Sequence, residues 1–176
     1  ASIYYYKSTS NLAKCLQFLE DERAEKYMQL ATEIHQAIVD EYFINNKLLL
    51  KKVTQTALAL LLRNSLYPSE QAKKELQIKL IELLKSNNNF LNTGFVGTPE
   101  LTHALAENNF SEAAYTLLLN EECPGWLYEV NQGATTVWER WDSISPDGTI
   151  NGTDMNSLNH YAYGAVQDFI IEKVLG

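Results

Sequence analysis

Apolar side chains return every three or four residues along most of this chain, in blocks separated by short polar connections. That period is the helical one, and no strand-length alternation competes with it. Leu12, Cys15, Leu16 and Leu19 keep one stripe, which runs back to Ile3 without a capping side chain. Ala24, Tyr27, Met28, Ala31, Ile34, Ile38 and Val39 keep a second, with Glu25, Lys26, Glu33 and Asp40 turned outward. Only residues 20–22 join the two, so they are expected to fold back as an antiparallel hairpin. Asn45-Asn46 interrupts the pattern, and Thr54 to Leu66 is then apolar nearly all round. Pro68-Ser69-Glu70 stops that helix and starts the next, with Ser69 as N-cap and Ala72, Leu76, Leu80, Leu83 and Leu84 facing inward until Ser86-Asn89.

Two short helices follow. One is expected to be capped by Thr98 with Pro99 in its first turn, and the other starts near Ser111 and buries Ala113, Ala114, Leu117 and Leu118. Cys123 to Gly133 reads as a Pro- and Gly-bearing connection. A last helix is expected from about Ser157 to Val174, with Leu158, Tyr161, Ala162, Ala165, Val166, Phe169 and Ile170 on one side. The fold class is all-α. Helices half wet alternate with helices covered on most faces, which suits two layers of helical hairpins. A closed ring of such hairpins takes about a dozen helices, whereas this pattern supplies seven or eight. Residues 1–176 are therefore expected to be one α-helical domain, itself a fragment of a larger one.

Composition narrows the function. The net charge is −8. Residues 1–85 carry twelve basic against ten acidic side chains, and residues 86–176 carry two (Arg140, Lys173) against twelve. Such a balance argues against a nucleic-acid partner, because neutralising phosphates needs clustered Lys and Arg. No apolar run approaches the roughly 20 residues that span a bilayer, so no membrane partner is expected. The first residues lack the charged-then-apolar layout of a targeting segment, leaving bacterial cytoplasm and periplasm both open. Cys15 and Cys123 lie far apart without metal or redox spacing.

All three tryptophans (Trp126, Trp138, Trp141) fall within sixteen residues of the acidic half. In GATTVWERWD (133–142), a short helix capped by Thr135 or Thr136 would put Trp138 and Trp141 on one face, and Glu139 with Asp142 on another. Indole faces suit the apolar C–H face of a pyranose, and a carboxylate beside them can act as general acid or base. The plainer alternative makes both indoles core and pairs Glu139 with an arginine. Arg140 reads as part of a structural ion pair. His160, in NSLNHYAYGAV (156–166), sits near a helix start rich in Asn and Tyr, as a ligand contact or as a satisfied core or capping histidine. His35 and His103 read as ordinary helix-face residues. Asp147 to Asp154 lacks the ligand spacing of a calcium loop and reads as a solvated turn. Asn109-Phe110-Ser111 and Asn151-Gly152-Thr153 fit the glycosylation triplet, a pattern too common to weigh. No cofactor and no metal are expected.

NTGFVGTPEL (92–101), AAYTLLLNEECPGWLYEVNQGATTVWERWDS (113–143) and NHYAYGAVQDFI (159–170), in this order and spacing, resemble the bacterial α-L-rhamnosidases of glycoside hydrolase family 78. YYYKSTSNLAKCLQFL (4–19) and the helix from Asp21 to Tyr27 resemble the stretch before, so the resemblance spans essentially the whole chain and points to the C-terminal half of an (α/α)6 catalytic barrel. It implies inverting hydrolysis of terminal α-L-rhamnose from glycans or glycosides. Glu139 would be the general base that activates water, and His160 would hydrogen-bond the sugar. Trp138 and Trp141 would line the sugar site or support Glu139 from behind.

The family's general acid lies in an upstream motif that begins DER. Asp21-Glu22-Arg23 spells those letters but opens an amphipathic helix, followed by AEKYMQL, and reads as a chance match. The family's C-terminal β-sandwich is also outside this sequence. The chain is therefore expected to lack hydrolase activity alone, its missing partner being the N-terminal half of its own catalytic domain. Three alternatives stay open: a non-catalytic carbohydrate-binding or degenerate hydrolase module, a helical scaffold, and a six-hairpin glycosidase acting on another sugar.

Overall fold

A computed structural model describes residues 1–152 and 154–176. Its helices are α1 (Ser2–Phe18), α2 (Ala24–Tyr42), α3 (Gln55–Arg63), α4 (Glu70–Ser86), α5 (Thr98–Glu107), α6 (Ser111–Leu118), α7 (Trp126–Asn131) and α8 (Val166–Phe169). α8 is entered through a 3-10 turn at Ala162–Ala165 and left through a π-helical turn at Ile170–Leu175, so one continuous helical stretch closes the chain. The Asn45-Asn46 break is the tip of a two-residue hairpin, β1 (Phe43–Ile44) against β2 (Lys47–Leu48). Both asparagines have positive φ, as tight hairpin turns require.

The expected layers are present. α1 and α2 form the most extensive helix pair. α3 packs on α4 to one side and on α5 to the other, and α5 also meets α6 and α8. α3 and α5 are covered on most faces, whereas α4 buries only the Ala72, Leu76, Leu80, Leu84 stripe. Leu58, Leu61, Leu66, Leu76, Leu80, Leu101, Leu105 and Leu117 join in one continuous core. Caps hold the boundaries: Thr54 Oγ1 accepts from Ala57 N–H at 3.1 Å, and Ser69 Oγ from Ala72 N–H at 3.2 Å. The α5 cap falls on Gly97 rather than Thr98, whose hydroxyl donates back to the Gly94 carbonyl at 3.0 Å.

Gly97, the N-cap of α5, lies directly against Thr56 of α3. A methyl group there would stand 2.2 Å from Thr56 Oγ1 and 2.8 Å from Thr56 Cβ, so one helix would have to move. Gly97→Ala is expected to destabilise the protein by roughly 1–3 kcal/mol, the cost of overpacking. A melting temperature unchanged from the parent would show that the crossing is looser than drawn.

The last helix starts at Ala162, five residues later than the pattern suggested, and Tyr161 is accordingly not on its buried side: it is 88% exposed. α7 lies within the segment read from sequence as a connection.

Candidate functional site

The segment 134–142 is irregular, not the short helix expected. Its backbone donors are committed elsewhere. Trp138 N–H points at the Glu129 carboxylate (3.3 Å), and Glu139 N–H donates to the Ser157 carbonyl (2.8 Å). A helix needs those donors for its own ladder. In return His160 N–H donates to the Val137 carbonyl at 2.8 Å, and the Thr136 hydroxyl to the Leu158 carbonyl. Residues 136–139 and 157–160 thus run side by side, which brings the backbones of Glu139 and His160, 21 positions apart in sequence, onto neighbouring segments.

α7 prepares this arrangement. Gly133, at φ 83°, ends the helix in the left-handed conformation, letting Ala134 N–H reach back to the Glu129 carbonyl at 3.0 Å. The Trp126 indole N–H donates to the Tyr163 carbonyl at 3.0 Å. Trp141 lies flat on Tyr163, with ring centres 4.0 Å apart and planes at 7°, and takes the edge of Trp126 at 5.2 Å and 90°. Three rings from three segments therefore lock α7, the Glu139 loop and the turn after His160 together. Trp138 is 2% exposed. The two indoles of the motif do not share an open face, because the helix that would align them is absent: Trp138 is core, and one face of Trp141 is taken by Tyr163.

Glu139 is half-buried. Its Oε2 accepts from Ser157 N–H at 2.8 Å, and among the described residues no guanidinium or ammonium lies in ion-pair range. Arg140 instead pairs with Asp142 through Nε (3.2 Å) and Nη2 (3.1 Å). The His160 ring Nδ1 accepts from Ala162 N–H at 3.2 Å, so the neutral imidazole carries its proton on Nε2 and offers a donor. Its other support is the Tyr161 ring, stacked at 5.3 Å and 10°. A fixed carboxylate, an imidazole donor and an open aromatic plane are what a polar-rimmed, apolar-faced ligand such as a pyranose requires.

Sequence reasoning missed two residues. Tyr161 was hidden by its fit to the helical stripe. Glu129, 4% exposed, lies under the loop with Oε1 lacking any hydrogen-bond partner. Burial pushes its pKa up to about 7, against a smaller lowering from Trp138 N–H. The folded state therefore holds the proton more tightly than the unfolded chain does. Stability should fall as pH rises from about 4.5 to 7 and level off above that, by on the order of 3 kcal/mol in all. Glu129→Gln, which keeps an acceptor for Trp138 N–H, should flatten that slope in denaturant titrations across the range.

The outlying candidates have other partners. His35 Nε2 lies 3.1 Å from the Ser65 carbonyl. Asp147 accepts from Thr149 N–H within a hairpin bridged by Ile144 and Ile150. The Asn151 amide donates to the Asp142 carbonyl and Ser145 Oγ, and Thr153 of its triplet lies outside the described residues. Asp21 pairs with Arg23 on an exposed turn at 2.8 Å. His103 is fully buried, not an ordinary surface position.

Residues 1–174 match the family model described as the bacterial alpha-L-rhamnosidase 6 hairpin glycosidase domain. The chain is similar to an alpha-L-rhamnosidase of Alteromonas sp. (41% identity, covering 96% of the chain and 18% of the relative). It is also similar to one of Formosa agariphila (38%, covering 98% and 19%). In three dimensions it resembles the Streptomyces avermitilis alpha-L-rhamnosidase solved with L-rhamnose, at a TM-score of 0.88 and 36% identity, covering 97% of this chain and 16% of that one. The chain thus spans less than a fifth of the length of these relatives.

Proposed function

This chain belongs to the bacterial α-L-rhamnosidase six-hairpin glycosidase family, and from that premise we propose that it carries the general-base half of an inverting α-L-rhamnosidase site. The observation that carries the reading is the state of Glu139: half-buried, without a cationic partner among the described residues, and aimed by a backbone N–H on the segment that bears His160. Ser157 N–H occupies one lone pair of Oε2, and Oε1 is left to take a proton from water attacking the anomeric carbon. His160 Nε2–H donates to a sugar hydroxyl, and the exposed Tyr161 ring offers the flat apolar surface. Trp138 and Trp141 serve by holding this geometry from behind.

Inversion needs a second carboxyl group roughly 6.5–9.5 Å from the first, protonated and near the leaving oxygen. Asp142 is occupied by Arg140, and Glu129 is sealed beneath the loop. The resemblance puts the family's acid in an upstream motif that residues 1–176 do not match, so these residues alone should not turn over an aryl rhamnoside. The test is the first-formed anomer. NMR of the full-length protein acting on an aryl α-L-rhamnoside should show β-L-rhamnose before mutarotation, and His160→Ala should raise KM more than it lowers kcat. Release of the α-anomer would remove the general-base role.

A further inference from the structure

At the far side of α5, His103 has a side chain only 2% exposed. It meets two carboxylates of the closing helical stretch: Nε2 lies 3.2 Å from Asp168 Oδ2, and Nδ1 lies 3.9 Å from Glu172 Oε2. Neither ring nitrogen completes a hydrogen bond. A neutral imidazole has one N–H and one lone pair, so either tautomer turns a lone pair toward a carboxylate. The imidazolium would satisfy both, but burial and the nearby Arg63 guanidinium oppose it, against weaker support from Asp168, Glu172 and Glu107. The basic groups around are already engaged: Lys7 with Glu100 at 2.6 Å, Arg63 with Glu100 and Glu107, and Lys173 with Glu107 at 3.4 Å. Among the described residues, neither Asp168 nor Glu172 has a Lys or Arg partner.

We propose that His103, Asp168 and Glu172 bind a small divalent transition-metal ion of the zinc class. One ligand atom from each lies within 4.8 Å of the others. The ion takes His103 Nε2 together with Asp168, and the exposed Glu172 side chain, nearest to Nδ1 at 3.9 Å, turns over to join them. Donors bound tetrahedrally at about 2.0–2.1 Å stand about 3.3 Å apart, close to the 3.2 Å between His103 and Asp168. One nitrogen and two carboxylate oxygens suit zinc better than calcium, which takes six to eight oxygens. Asp168 and Glu172 are more than half exposed, so the ion has a way in and water can complete its shell. Bound there, it would clip the closing helix to α5, and so steady the turn that carries His160 at that helix's start.

The test is Zn2+ titration of the chelator-stripped full-length protein by calorimetry, with Co2+ as an optical probe, beside the Asp168→Asn/Glu172→Gln variant. Both substitutions keep the side chain's size and shape, so the variant should fold, which its circular dichroism checks. The expected result is one fewer bound Zn2+ per chain in the variant, together with loss of a tetrahedral Co2+ visible band. Equal Zn2+ stoichiometry in the two proteins, or no Zn2+ bound by either, would overturn the proposal. A His103 imidazolium persisting by NMR at pH 7 with Zn2+ present would do so as well.

Discussion

Glu139→Gln in the full-length protein is expected to lower kcat on aryl α-L-rhamnosides by roughly a thousandfold, within the usual range for removing a general acid or base. The amide cannot take a proton from water, yet it keeps an oxygen for Ser157 N–H, so the loop should stay in place. KM should therefore change little. Leaving-group dependence gives the sharper readout. Loss of the acid is partly offset by an aglycone that departs without protonation, whereas loss of the base is felt by attacking water whatever departs. The defect should be similar for nitrophenyl and alkyl rhamnosides. A defect that shrinks on the better leaving group would make Glu139 the acid; one smaller than tenfold would remove it from the chemistry.

The second large effect is on stability. Trp138→Ala is expected to cost about 3–5 kcal/mol, as for other buried aromatic-to-alanine changes. The indole is 2% exposed, in the stretch whose backbone is tied to Glu129 and to Ser157. Its removal leaves a void beside the catalytic candidate. Urea unfolding should show the drop as a lower midpoint, with Trp138→Phe losing markedly less. Activity should fall alongside, through misplacement of Glu139 rather than loss of a sugar contact. A cost below 1 kcal/mol would mean that the ring packs loosely enough to face a ligand instead.

Much of this was legible in the residues. Helical period and capping chemistry are local, so the existence of α1 to α6 could be read from the apolar spacing and the Ser69 cap, although α1 buries Thr9, Ala13 and Leu16 and leaves Leu12, Cys15 and Leu19 of the expected stripe exposed. The resemblance singled out Glu139 and His160 as the candidates. What stayed hidden is non-local. The segment at 134–142 has the spacing of a helix, but its N–H groups answer to a carboxylate on α7 and a carbonyl at Ser157. No window of sequence contains those partners together. Tyr161 fits the apolar stripe as well as Phe169 does, and only the late start of the last helix separates the exposed ring from the buried one. Glu129 carried no warning, since an acidic residue on a six-residue helix is ordinarily a wet one.

The ring trio of Trp126, Trp141 and Tyr163 has a bearing on protein engineering. Because these aromatics fasten separate stretches to one another, shrinking any of them to make room for a bulkier ligand should loosen the fold before it changes what binds. Diversification would do better at Tyr161, whose ring is 88% exposed and, among the described residues, stacks only on His160.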